Sequence, residues 1–376
     1  MASPTPLEAR LTRFIAARGP MSFRDFMETA LYDPEHGYYA KGPRIGPEGD
    51  FYTAASFPLY AWCIATQVGE MWRRLGEPRA FPMVEAGGGT GAFAHAFLDR
   101  VDETDEALAR ALKYVFLERS PGLRARQAAA VPEAKHADDL ARYFPYGFSG
   151  VLFANELLDA FPVHRVVQTA EGLKELHVTV DESGRLREVA LPPTTPLLAD
   201  YLKQAEVTLA RGQQAEINLK ALEWVVGLGK LMERGYAILV DYGGSAQEVY
   251  GRNHHRGTLV AYREHQVVDD ILASPGEQDL TADVDFTSVA RAARAAGFEV
   301  AYTTQGRFLA ALGLLDLGQE AAVRGDMQSA LGVKNLLLPT AMGDRFRVLI
   351  LAKNAPLAGL QGLGDPFGGG FRPSFA

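Results

Sequence analysis

The chain has 376 residues, 47% of them hydrophobic and 22% charged, which predicts a globular soluble fold of one large domain or two ordinary ones. Its formal net charge of -8 excludes a general nucleic-acid binder, because neutralising a phosphate backbone needs clustered Lys and Arg. A single cysteine, Cys63, excludes an intramolecular disulfide and fits a reducing compartment; in the apolar run LYAWCIATQVGEMW it is expected as a buried structural thiol.

The first stretch, MASPTPLEARLTRFIAARGP, lacks the apolar core and cleavage site of a secretory signal. The spacing of Leu7, Leu11, Phe14 and Ile15 predicts an ordinary helix there instead. No run of about 20 apolar residues follows anywhere, so no membrane span is expected and a cytoplasmic location is. A second helix is predicted over 22–31, with Ser22 as N-cap and Phe23, Phe26, Met27, Ala30 and Leu31 on one face. The following YDPEHGYYAKGPRIGPEGDFYTAAS is a long Gly- and Pro-rich loop studded with aromatics, and loops of that length in compact domains are usually functional. PLYAWCIATQVGEMWRRLG then reads as an amphipathic helix closed by Gly76.

The centre alternates strand and helix: strand FPMVEA, helix TGAFAHAFLDRV, strand LKYVFLERS, a helix through PGLRARQAAAV, and the buried strand opening GVLFANELLDAFP. Strands apolar on both faces and alternating with helices predict an α/β fold, a mostly parallel sheet covered by helices on both sides. The pattern breaks at HRVVQTAEGLKELHVTVDESGRLREVAL, an antiparallel meander with EG and SG turns, and at two helical stretches. YAILVDYGG returns to a buried strand, GFEVAYTTQ and DRFRVLILAKN supply two more, and the Gly-rich tail is expected to be mobile.

The loop VEAGGGTG decides what such a sheet would hold. A triphosphate loop would need Gly-Lys-Ser/Thr, whereas Gly91 is followed by Ala92 and Phe93. Gly87, Gly89 and Ala92 fit a loose dinucleotide spacing, G-x-G-x-x-A, with Arg119 and Arg124 available for a ribose phosphate. The acid Glu85, two residues before Gly87, argues the other way, because a carboxylate there repels a pyrophosphate and suits a cationic ligand. S-adenosylmethionine, with a sulfonium and an ammonium, is such a ligand, and Glu85, Gly87, Gly89 and Gly91 resemble the first motif of class I methyltransferases. Glu118, at the end of the next strand, is placed to accept hydrogen bonds from both ribose hydroxyls. Asp138, with Asp139 competing, could reach an adenine amino group.

The segments DPEHGYY, GDFYTAAS, VEAGGGTG, ANELLDAFPVHR, AEIN, VDYGG, GTLVAYREHQVVDD and GEQDLTADVDF occur in that order. Together they resemble the family of the mitochondrial complex I assembly-factor methyltransferase and its bacterial relatives, from about residue 20 to residue 350. The resemblance implies a class I methyltransferase (Rossmann-like) core with an N-terminal helical cap and a central insertion of β-meander and helices. The expected divisions are a cap and cofactor-covering loop over 1–78, core halves over 79–165 and 235–355, a recognition insertion over 166–234, and a tail over 356–376. The resemblance also implies S-adenosyl-L-methionine as cofactor and a protein arginine as methyl acceptor.

An arginine nucleophile needs a carboxylate that holds the guanidinium bidentately and localises its charge. Glu156, after Asn155 at the end of GVLFA, is in the expected place. Symmetric protein arginine methyltransferases carry a second Glu about nine residues on, where this chain has Arg165. Glu216, Asp241 and Asp159 are the candidate substitutes, Asp159 being read rather as a turn acid. His265 in YREHQ is the candidate proton acceptor, and Thr53, Tyr52, Tyr38 and Tyr39 are candidates for covering the methionine end. No His, Cys or carboxylate spacing predicts a metal. The competing readings are a small-molecule oxygen or nitrogen acceptor, a non-catalytic assembly factor that keeps the fold, and an NADP oxidoreductase.

Overall fold

The strand and helix alternation of the central sequence folds as a mostly parallel sheet of seven strands, with an eighth, two-residue strand (Val284–Asp285) pairing parallel to the end of one of them, in the computed structural model, which describes residues 4–42, 53–263 and 266–368. Its strands are β1 (Phe81–Ala86), β2 (Leu112–Leu117), β3 (Lys135–Ala137), β4 (Phe148–Asn155), β5 (Met232–Gly244), β6 (Glu299–Thr304) and β7 (Phe346–Lys353). The order across the sheet is β3-β2-β1-β4-β5-β7-β6, and only β7 runs antiparallel to its neighbours. Val151, Leu152, Phe153 and Ala154 are all buried although they alternate between faces, so β4 is covered on both sides.

Chain order reverses between β1 and β4. In open α/β sheets the crevice beyond the carboxyl ends of the strands at such a reversal is where ligands bind. Helix Ala92–Thr104 enters from Gly91 and buries Phe93, Phe97 and Val101, spaced by four. The Phe93 ring stacks on Phe153 of β4 with centroids 4.5 Å apart. Helix Pro58–Arg74 contributes Tyr60, Cys63, Ile64 and Met71 to the same core.

Chain contacts divide the molecule into two compact units. One comprises residues 52–157, 224–242 and 290–376 and holds the sheet; the other comprises 1–51, 158–223 and 243–289. This partition differs from the expected boundaries at 78, 165 and 234, because Pro58–Arg74 packs into the sheet's core and the insertion returns to the core at residue 224. The tail expected to be mobile from 356 is anchored through Leu363. Leu360 is buried, the Gly362 N–H donates to Gln67 Oε1 at 2.9 Å, and a Cβ on Gly362 would lie 2.2 Å from the Phe308 ring. Glycine there permits a close approach rather than loosening the chain.

The second unit contains helix Pro6–Arg18, held by a Thr5/Glu8 capping box, and helix Phe23–Tyr32, capped by Ser22 as its sequence predicts. The predicted meander forms as His164–Thr169, Gly172–Val180 and Leu186–Leu191, joined to Gln214–Ile217 and Met21–Ser22 in a five-stranded antiparallel sheet. Tyr39 donates to Asp279 Oδ1 at 3.0 Å and stacks on Tyr32, so Tyr38 and Tyr39 are packed inside this unit. Among the described residues no helix is long and apolar enough to cross a membrane.

Candidate active site

The glycine loop leaves the end of β1 with Gly87, Gly89 and Gly91 all at positive φ (74°, 51° and 86°), conformations that side-chain-bearing residues rarely adopt. It is also packed too closely for side chains. A Cβ on Gly88 would lie 2.7 Å from Phe116 Cδ1, and one on Gly91 would lie 3.1 Å from Ala130 Cβ. The Gly87 N–H donates to Leu117 O at 3.1 Å, tying the loop to the end of β2.

Glu85 is buried beneath this loop and accepts the Tyr114 hydroxyl at 2.8 Å. Burial pushes its carboxyl up to about 8; the Tyr114 hydrogen bond opposes the rise and nearby Glu118 adds to it. Glu118, also buried, follows β2 and accepts from the Ser120 N–H at 2.8 Å. Burial raises its carboxyl as well, against the pull of Ser120 and Gln127. The Gln127 side-chain amide donates to Gly89 O at 3.0 Å and reaches Glu118 Oε2 at 3.4 Å, so it couples the loop to the second acid. Asp138 stands apart: it follows β3, is exposed, and meets Arg142 through both oxygens at 3.2 and 3.0 Å. Asp139 caps the short helix Leu140–Tyr143.

Across the reversal, β4 ends in a hydrogen-bonded cluster. Glu156 holds φ at 51°, uncommon for a residue with a side chain, and its N–H donates to Val240 O at 2.8 Å. Its Oε1 accepts from Asn155 Nδ2 at 2.8 Å and from the Thr53 hydroxyl. Asn155 Nδ2 also donates to Thr53 Oγ1 at 3.2 Å, and the Tyr60 hydroxyl donates to Asn155 Oδ1 at 2.7 Å. Thr53, expected as a cover for the methionine end, is thus bonded to Glu156. Asp241, one residue beyond the β4-paired Val240, is buried and accepts the Tyr242 N–H at 3.0 Å. Burial first, then the electrostatic influence of Glu156 and, more weakly, of its other acidic neighbours, holds the Tyr60 phenol well above its ordinary range; Asp241 and Glu85 are among those neighbours. Acids at the ends of β1, β4 and β5 therefore lie within electrostatic reach of one hydroxyl.

Glu216 lies in the second unit, where Oε1 accepts Arg165 Nε at 3.1 Å and Oε2 accepts the Thr258 N–H at 2.7 Å. Arg165, its cross-strand partner, also binds Glu188 and packs over the Phe23 ring. Glu216, one of three candidates for a second acid beside Glu156, is thus held in an ion pair with Arg165. Asp159, buried in that unit, accepts the N–H of Ala160. His265 and Tyr52 lie outside the described residues. Cys63 is buried, and burial pushes its thiol up to about 12, as a structural thiol requires. Among the described residues no group of three or more His, Cys, Asp or Glu side chains is arranged to hold a metal ion.

The sequence profile of a family of S-adenosyl-L-methionine-dependent methyltransferases matches residues 63–304. The crystal structure of a COG1565 superfamily member from Burkholderia thailandensis, bound to S-adenosyl-homocysteine, aligns with a TM-score of 0.86. It is 30% identical, over 97% of this chain and 98% of that one. The chain belongs to this methyltransferase family. Its cofactor is S-adenosylmethionine, and the oxidoreductase alternative falls. Protein arginine methyltransferase NDUFAF7, mitochondrial, of Rattus norvegicus is 27% identical over 95% of this chain and 87% of its own length. The Homo sapiens protein of the same name is 28% identical over 94% and 85%.

The methyltransferase's loop fits its cofactor. Two buried carboxyls flank a stretch, residues 86–92, that carries no basic side chain, an unsuitable lining for phosphate and a suitable one for a cation and ribose hydroxyls. Three residues of the site were not foreseen from the sequence. Tyr114 was legible in principle, since in LKYVFLE it shares parity with Phe116, the register partner of Glu85. Tyr60 and Gln127 sit on helices with no sequence signal that distinguishes them from core residues.

Proposed function

We propose that this methyltransferase acts on a guanidinium nitrogen of a protein arginine, with Glu156 as the acid that receives it. Bound S-adenosylmethionine supplies an electrophilic methyl group on a sulfonium. Glu85, Gly87, Gly89, Gly91 and Glu118 would hold it, the glycines through backbone approach and the acids through charge and hydroxyl acceptance. The observation that carries the acceptor reading is Glu156 itself. It is a carboxylate at the reversal of strand order, in an uncommon backbone conformation, with one oxygen fixed by Asn155 and Thr53. Backbone strain of this kind persists only where surrounding structure over-determines it, and it gathers at functional sites.

A guanidinium stays charged in water and its lone pair is delocalised. A carboxylate pairing with two of its nitrogens draws positive charge toward them and leaves the third more nucleophilic. Asp241, buried one residue beyond the Val240 that pairs with Asn155 and opposite Arg347 in β7, is the acid we assign the second negative charge in place of the glutamate that this chain lacks. The names of the mitochondrial relatives agree with a protein arginine acceptor.

The test is methyl transfer from labelled S-adenosylmethionine to a pool of arginine-containing peptides, read by mass spectrometry for methylarginine. Glu156→Gln should abolish transfer and leave S-adenosylhomocysteine affinity unchanged. Full transfer by that variant would remove Glu156 from the reaction. Label found only on small-molecule oxygen or nitrogen acceptors would replace the arginine reading.

A further inference from the structure

We propose that Tyr60 is a positioning residue which, through Asn155, orients the Glu156 carboxylate and keeps it ionised; this rests on the reading of Glu156 as the acceptor-facing acid. Each donor in the cluster has one direction. The Tyr60 hydroxyl donates to Asn155 Oδ1 (2.7 Å), which commits the Asn155 amide to presenting Nδ2 to Glu156 Oε1 (2.8 Å) and to Thr53 Oγ1 (3.2 Å). The Thr53 hydroxyl, which accepts from Asn155, spends its own proton on Glu156 Oε1. The cluster therefore delivers two donors to one carboxylate oxygen, and Tyr60 holds the Oδ1 end of the amide that presents one of them.

Tyr60 is built for this. It is 0% exposed, lies on helix Pro58–Arg74, and packs against Phe93 and Phe153 with centroids at 6.1 and 6.4 Å. Its ring cannot swing away without disturbing the stacked Phe93–Phe153 pair that joins helix Ala92–Thr104 to β4. Burial and the surrounding acids keep the phenol neutral, so it remains a donor at any working pH. Without it the Asn155 Oδ1 loses its donor, the amide is held only through Nδ2, and any turned population would present Oδ1 to the carboxylate as a second acceptor. That arrangement favours protonated Glu156 and loosens the carboxylate plane that bidentate pairing requires.

The experiment uses the full-length protein. The Glu156 carboxylate is titrated by infrared difference between a protein with Glu156 and its Glu156→Gln counterpart, in wild-type and Tyr60→Phe backgrounds. Tyr60→Phe should raise the midpoint by about one pH unit and slow peptide methylation by up to about tenfold at pH values below the wild-type midpoint, converging on the wild-type rate above both midpoints, with S-adenosylhomocysteine affinity unchanged. An unmoved midpoint overturns the proposal even if the rate falls, since loss of packing alone would not move it. Should Tyr60→Phe misfold, Asn155→Leu removes the amide through which Tyr60 acts and should raise the midpoint likewise. An unmoved midpoint in that variant also overturns the proposal. A fully active Glu156→Gln refutes the acceptor reading instead, so the two failures are distinguishable.

Discussion

Replacing Glu85 by glutamine tests the electrostatics beneath the glycine loop with almost no change of shape. The carboxyl is 4% exposed, receives the Tyr114 hydroxyl, and is pushed by burial from about 4.5 to about 8. In the unfolded chain it titrates near its ordinary value. Between those two pH values the folded protein keeps a proton that the unfolded chain has lost. Stability from this group is therefore complete below about pH 4.5, is lost progressively as pH rises, and levels off above about 8. At about 1.4 kcal/mol per pH unit the loss is on the order of 5 kcal/mol. Relaxation and water penetration reduce it, and at least about 2 kcal/mol should remain. Glutamine does not titrate, so Glu85→Gln should lack this loss. Urea denaturation at pH 5, 7 and 9 measures it, and tryptophan fluorescence reports the right unit because Trp62, Trp72 and Trp224 all lie in the sheet-bearing one. Wild type should lose at least about 2 kcal/mol more than the variant between pH 5 and 9. Equal pH dependence in the two proteins would refute the reasoning. Saturating S-adenosylmethionine should flatten the wild-type curve, because a bound cation favours the ionised carboxyl.

Gly91→Ala combines a left-handed backbone with a Cβ 3.1 Å from Ala130 Cβ and 3.2 Å from Gln127 Cα. It should cost about 2–4 kcal/mol and abolish S-adenosylhomocysteine binding by calorimetry; an unchanged denaturation midpoint would contradict the packing. Glu118→Gln should weaken that binding by about tenfold or more, roughly 1.4 kcal/mol. Asp138→Asn should change it less than about twofold, because an exposed ion pair such as Asp138–Arg142 is worth about 1 kcal/mol or less. The opposite ranking would return Asp138 to the cofactor site.

Much of the core was legible because periodicity survives folding. The apolar strands FPMVEA, LKYVFL and YAILVDYGG form where their composition predicts, since strands buried on both faces need no partner information to be recognised. β3 was not foreseen: Lys135–Ala137 is three residues long, polar in its first two positions, and becomes a strand only because β2 offers it an edge. The tail misled at Gly362, which reads as looseness and is instead a point of close contact with the Phe308 ring.

The sequence by itself determined that a glycine loop flanked by Glu85 and Glu118 ends the first strands of a parallel sheet, and that Glu156 follows a later buried strand. These are local facts, carried by neighbours a few residues apart. Only the tertiary structure decided what each acid faces. Glu216 and Asp241 look alike in sequence, and strand register sets Glu216 opposite Arg165 and Asp241 opposite Arg347, one residue beyond the Val240 that pairs with Asn155. Thr53 and Tyr60 reach the end of β4 from about a hundred residues away. Which donors a buried carboxylate receives is set by topology, and a hydrogen bond between distant segments leaves no period in the sequence to read.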